Sequence, residues 1–148
     1  MTIYHDCERG QFQTEYGKQL VSYEGMLFKG RTGHLNVTPT DVDGLIQLDN
    51  ENCIVFFELK HSGSMPTGQS DALKKLADAI QAGGVNCAVF TAVHNTPHPQ
   101  MIAAKDAIVT EIYWDGKTHP PRKEGVNLYE YILNYIDYIK EEVWTPNI

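Results

Sequence analysis

The sequence predicts an α/β fold in which a sheet is packed between helices. Three observations carry that prediction. Cys53–Lys60 (CIVFFELK) and Asn86–Val93 (NCAVFTAV) are short runs apolar on both faces, the pattern of strands covered from two sides. Gln69–Gln81 lies between them with Leu73, Leu76, Ala77 and Ile80 at i, i+3, i+4 and i+7, the spacing of a helix with one apolar stripe. Asn127–Val143 repeats that period through Leu128, Ile132, Tyr135, Ile139 and Val143.

The remaining elements follow in chain order. Over residues 12–29 the apolar positions Phe12, Tyr16, Leu20, Tyr23 and Leu27 recur every three or four residues, which predicts a first helix interrupted by Gly17 and Gly25. Residues 30–40 are rich in Gly, Thr and Pro and read as loop. Asp43–Leu48 is a short strand. The polar Asp49-Asn50-Glu51-Asn52 then turns the chain into Cys53–Lys60, giving a hairpin. Residues 61–68 (HSGSMPTG) form a loop before the Gln69 helix, which Gly83-Gly84 ends. Ala107–Trp114 (AIVTEIYW) is a fourth strand, and the predicted order is α-β-β-α-β-β-α.

Composition bounds the function. The 148 residues suit one compact domain, and 42% apolar with 21% charged residues is too apolar for disorder. No apolar run exceeds Cys53–Phe57, too short to span a bilayer, and Met1–Gln11 holds no apolar segment of the kind a secretory signal needs. Cys7, Cys53 and Cys87 are an odd set at unrelated spacings. With Cys53 and Cys87 inside apolar runs, they read as buried thiols in a reducing, cytoplasmic compartment. The net charge of −7 argues against a broad electrostatic grip on nucleic acid, although bound metal ions can supply positive charge where a phosphate sits.

The chemistry-bearing segment is Thr38–Lys60, TPTDVDGLIQLDNENCIVFFELK. Glu58 and Lys60 are two apart and share a face, as do Asp41 and Asp43. Folding the hairpin at its polar turn pairs Leu48 with Cys53, which sets Asp43 opposite Glu58 and Asp41 opposite Lys60. Directly opposed side chains have Cβ atoms about 4.5–5.5 Å apart. Two carboxylates at that distance repel unless they share a cation, and Mg²⁺ suits them as a hard ion held by carboxylates, waters and a phosphate. A metal there would polarise a phosphoryl oxygen and help form hydroxide. Lys60 is placed to orient the attacking water or to offset charge in the transition state. Gln69, four residues before Leu73, heads the stripe that faces the sheet and offers an amide to the carboxylates, the lysine or a substrate phosphate. The plainer alternatives are a surface ion pair for Glu58 and Lys60 and a first-turn capping role for Gln69.

These residues resemble the PD-(D/E)XK nuclease superfamily: Asp43, then Glu58-Leu59-Lys60, then Gln69 opening the next helix. TPTDVDGLI followed by ELK and GQ looks like small phage and prophage members, and the layout is similar to phage-type exonucleases and archaeal Holliday-junction resolvases. The resemblance covers about residues 12–115. It implies a restriction-endonuclease-like αβββαβ core, a mixed sheet of about four strands flanked by helices, and Mg²⁺- or Mn²⁺-dependent cleavage of DNA. By that resemblance Asp43, Glu58 and the Leu59 carbonyl would be metal ligands, Lys60 would position the water and Gln69 would support the site. The motif's proline is displaced: Pro39 lies four residues before Asp43, and Val42 stands in its expected place. Asp41 is therefore a rival first ligand. Many members add a glutamate from the first helix, for which Glu15 and Glu24 are both candidates.

Other features carry less. His5 with Cys7, or His94 with His98, is half a metal site without a matched second pair. Tyr129, Tyr131, Tyr135 and Tyr138 would stack on bases or divide between core and a subunit interface. Lys74 and Lys75 would meet a phosphate backbone or solvent. The expected function is a DNA-cleaving, metal-dependent nuclease associated with a phage or mobile element, holding its substrate with the help of a homo-oligomer or a partner protein. The alternative is a non-catalytic binding or regulatory module with the same fold.

Overall fold

The computed structural model describes residues 3–6, 11–14, 28–29, 36–37, 42–62 and 69–141. The chain divides into two compact units, residues 1–40 and 41–148. In the first unit β1 (Ile3–Asp6) pairs antiparallel with β2 (Gln11–Thr14), and β3 (Phe28–Lys29) pairs antiparallel with β4 (Asn36–Val37). This corrects the helix expected over 12–29 at both of its ends. Phe12 to Thr14 lies in a ladder against Ile3 to His5, where β-branched and aromatic residues fit a pleated surface better than a helix. Glycines at 17 and 25 had already weakened the helical period. The loop expected over 30–40 holds the short strand β4.

The second unit is an α/β structure. Its elements are β5 (Gly44–Leu48), β6 (Cys53–His61), α1 (Gln69–Ala82), β7 (Asn86–His94), β8 (Ile108–Trp114), β9 (Lys117–His119) and α2 (Leu128–Glu141). The sheet is mixed and five-stranded in the order β5-β6-β7-β8-β9, with β6 and β7 parallel and every other neighbour antiparallel. It exceeds the expected four strands by β9. Asp115 and Gly116 both take positive φ and turn β8 into β9 through a two-residue hairpin loop.

The two helices cover opposite faces of the sheet. In β6 the odd residues Cys53, Val55 and Phe57 join Ala88, Phe90 and Ala92 of β7 against Leu128, Tyr131, Ile132 and Tyr135 of α2. The even residues Ile54 and Phe56 join Cys87 and Val89 against Leu73 and Ala77 of α1. Strand alternation produces this division. Leu76, expected in the α1 stripe, sits on its margin and is exposed. Gly44 is required where β5 crosses Phe57, because a Cβ there would collide with the phenyl ring.

Local signals fix the element ends. Gly84, at φ +92°, ends α1 in a Schellman motif: Val85 N–H bonds Ile80 C=O and Gly84 N–H bonds Gln81 C=O. Asn127 caps α2 by accepting the Glu130 N–H at 2.9 Å. Asn52, at φ +50°, closes the β5–β6 turn, and its side-chain amide donates to the Gly84 carbonyl at 2.8 Å. The Asn52 carbonyl in turn accepts the Asn86 N–H at 3.0 Å. Burial pushes the Cys53 thiol up to about 11 and the Cys87 thiol up to about 12, so both are neutral core groups, and neither is in a disulfide. Cys7 lies outside the described residues. Among the described residues no helix is long and apolar enough to cross a membrane.

Candidate functional site

The β5–β6 ladder runs from Leu48 opposite Cys53 to Gly44 opposite Phe57, the pairing that the turn predicts. One step further out, Asp43 comes opposite Glu58, just beyond the end of β5. The carboxylate of Asp43 does more than face its neighbour: Oδ2 accepts the Leu59 N–H at 2.7 Å, taking the place of the ladder bond that β5 no longer supplies. A strand residue that pairs across an edge directs its N–H and C=O the same way, so the Leu59 carbonyl opens on that edge too.

Glu58 lies on the α1 face of β6, where the apolar row of Ile54 and Phe56 ends. It is 2% exposed, and among the described residues its Oε1 has no hydrogen-bond partner. Burial pushes its carboxyl above the ordinary carboxylate range, the charge of Asp43 pushes it the same way, and Lys60 opposes both. Lys60 is half-buried and follows Glu58 on the same face. Asp43, Glu58, the Leu59 backbone and Lys60 therefore gather at one end of the sheet, where β6 outruns β5.

Gln69 is the first residue of α1. Asp41, Glu15 and Glu24 lie outside the described residues, as does the side chain of Gln69. The sheet adds two neighbours that sequence reading missed. Thr91 of β7 is the register partner of Glu58 and is 7% exposed, and Glu111 of β8 is the partner of Thr91. Asp43, Glu58, Thr91 and Glu111 thus form a row across four successive chain segments. The signal for Thr91 was the one polar residue in the apolar run CAVFTAV. Glu111 carries an ion pair to Lys74 of α1 at 3.4 Å, and the same ammonium lies 5.5 Å from the Tyr113 ring centroid. Lys74 is committed to holding α1 on β8 rather than to solvent, whereas Lys75 is exposed.

Comparisons with protein-family models, with curated proteins and with solved structures return no match to this chain.

The donor set is hard: two carboxylates and a backbone carbonyl, the ligand chemistry of Mg²⁺ or Mn²⁺. Among the described residues the Glu58 Oε1 has no hydrogen-bond partner; Asp43 beside it adds negative charge, which Lys60 offsets in part. Among the described residues no three His, Cys, Asp or Glu side chains gather into a metal-binding group. Asp43 and Glu58 supply two acidic side chains, short of such a group.

Proposed function

We propose that the chain is a metal-dependent nuclease that hydrolyses DNA phosphodiester bonds, with a site of the PD-(D/E)XK type. The observation that carries this reading is the buried Glu58 carboxylate, whose Oε1 has no partner among the described residues, set against Asp43 with Lys60 next on the same face. The arrangement of β5, β6, α1 and a parallel β7 supports it, since the resemblance implies a mixed sheet of this kind with Gln69 opening the crossover helix.

Asp43, Glu58 and the Leu59 carbonyl would hold Mg²⁺ or Mn²⁺. When bound, the ion would supply Lewis-acid polarisation of a phosphoryl oxygen and a lowered water pKa. Asp43 fixes its own orientation by accepting the Leu59 N–H at Oδ2. Glu58 is held rigid by burial. Lys60 orients water with its ammonium and offsets negative charge that develops at phosphorus. A protein of net charge −7 has little general attraction for DNA, so a homo-oligomer or partner protein would help hold the substrate.

The hydrogen bond from Leu59 N–H to Asp43 favours a second reading, in which Asp43 is only a strand terminator and the chain is a binding or regulatory module. Supercoiled, linear, branched and single-stranded DNA, each incubated with Mg²⁺ or Mn²⁺, decide between them. Cleavage that Lys60→Ala reduces at least a hundredfold supports the nuclease. Absence of both metal binding and cleavage selects the module, and cleavage indifferent to Lys60→Ala removes these residues from the reaction.

A further inference from the structure

On its α1 face β7 presents Val89, Thr91 and Val93 in succession. Thr91 differs from the valines on either side in one group, a hydroxyl in place of a methyl. The parallel register puts it beside Glu58 of β6, and the antiparallel register puts Glu111 of β8 on its other side. Its main chain is tied at the β-bulge, where its carbonyl accepts the Thr110 hydroxyl at 3.4 Å. Among the described residues its own hydroxyl has no hydrogen-bond partner, although the residue is 7% exposed. A buried hydroxyl without a partner is a cost to folding, so a third valine would serve the fold better.

The groups around Thr91 show what its hydroxyl can add. Mg²⁺ and Mn²⁺ take octahedral oxygen ligation, and a site with two acidic side chains leaves several of those positions to water. Water on a cation is a strong hydrogen-bond donor and needs acceptors about it. Lys60, next to Glu58 on its own strand, has donors and no lone pair to offer. Glu111 is an acceptor, but Lys74 of α1 holds its carboxylate at 3.4 Å. Asp43 already accepts the Leu59 N–H at Oδ2. The Thr91 hydroxyl has two lone pairs, lies beside Glu58 on the same face and brings no further negative charge to the two acids.

We infer that Thr91 is a positioning residue of the site at Glu58, whose hydroxyl accepts a hydrogen bond from water on the divalent cation and so fixes where that water stands. The inference rests on the metal-dependent reading of Asp43 and Glu58 and deepens it by one residue. Thr91 acts from outside the ligand set, where partners of this kind are worth about 10–100-fold in metal affinity. Its β-branched side chain suits the part, because few χ1 rotamers are open to it and the backbone sets the direction of the hydroxyl.

Calorimetric titration of the full chain with Mn²⁺ tests this. Thr91→Val keeps the shape and removes the hydroxyl, whereas Thr91→Ser keeps the hydroxyl. The expected result is an Mn²⁺ affinity about tenfold weaker in Thr91→Val and restored in Thr91→Ser. Without metal, Thr91→Val should melt no lower than the wild type, so that the loss of affinity is not a loss of folding. Water-proton relaxation at saturating Mn²⁺ reads the bound waters themselves, and it should change in Thr91→Val and return in Thr91→Ser. Wild-type affinity and relaxation in Thr91→Val overturn the inference, as does a Thr91→Ser no better than Thr91→Val. Loss of Mn²⁺ in Glu58→Gln with full binding in Thr91→Val defeats this inference and leaves the nuclease reading standing. A wild-type chain that binds no Mn²⁺ removes both.

Discussion

The two faces of the sheet start alike and end differently. On the α2 face the apolar row of β7 runs through Ala88, Phe90 and Ala92 and packs against Tyr135. On the α1 face the row of Cys87 and Val89 gives way to Thr91, and that of Ile54 and Phe56 gives way to Glu58 and Lys60. One strand thus places apolar residues in a core on both faces and ends its even row in the charged pair Glu58 and Lys60. Stability is concentrated on the α2 face, and the α1 face carries a buried charge that opposes it.

The largest effect should come from the α2 face. Phe90 is fully buried and meets the Tyr135 ring edge to face, so Phe90→Ala should cost about 3–5 kcal/mol in denaturant unfolding. A smaller loss, about 1–3 kcal/mol, is expected for Gly44→Ala, which forces Phe57 off its seat over β5. A cost near zero for either would break the contrast between faces.

Glu58→Gln should act in the opposite direction and stabilise the metal-free protein. Its folded carboxyl binds a proton more tightly than its ordinary value of 4.5. Between 4.5 and the raised folded value, the folded chain holds a proton that the unfolded chain has released, so stability falls as pH rises through that window. The glutamine variant lacks that loss. Its advantage in melting temperature should be a few degrees above the folded pKa and should vanish below 4.5. Saturating Mn²⁺ should reverse the order by stabilising only the wild type, and an unchanged order would mean that Glu58 does not hold the ion. The smallest effect belongs to the partly exposed Lys74–Glu111 pair. Lys74→Ala should cost at most about 1 kcal/mol, less in high salt, as measured by thermal unfolding at two ionic strengths.

Much of the second unit was legible in the sequence because its strands and helices carry clean periods. The hairpin register followed from a polar four-residue turn, and the end of α1 followed from Gly83-Gly84. The helix expected over 12–29 is corrected at its ends, because a spacing of three or four was read across residues of which the first few belong to a hairpin with 3–6, a pairing visible only in three dimensions. Strand β9 was legible in Asp115-Gly116 but overlooked. In β8 simple alternation misleads. A register shift at Thr91/Ala92 leaves Thr110 outside the ladder and lets Ile112 and Val109, three apart, both enter the α2 core. That bulge also determines which residue stands beside Thr91, and so it hid Glu111 from a parity argument. Asp43, Glu58 and Lys60 could be brought together from the chain alone because one tight turn relates them. Thr91 could not, because a whole crossover separates it from Glu58.

Asn52 joins three chain reversals at the end of the sheet remote from Glu58: the hairpin, the close of α1 through Gly84 and the entry to β7 through Asn86. That end works as a knot, and substitutions there should disturb the architecture broadly. At the opposite rim, residues 97–103 of the connection from β7 to β8 are exposed. Loops grafted between β7 and β8 could alter what the protein grips while leaving its scaffold intact, so new specificities should arise there with little loss of foldability.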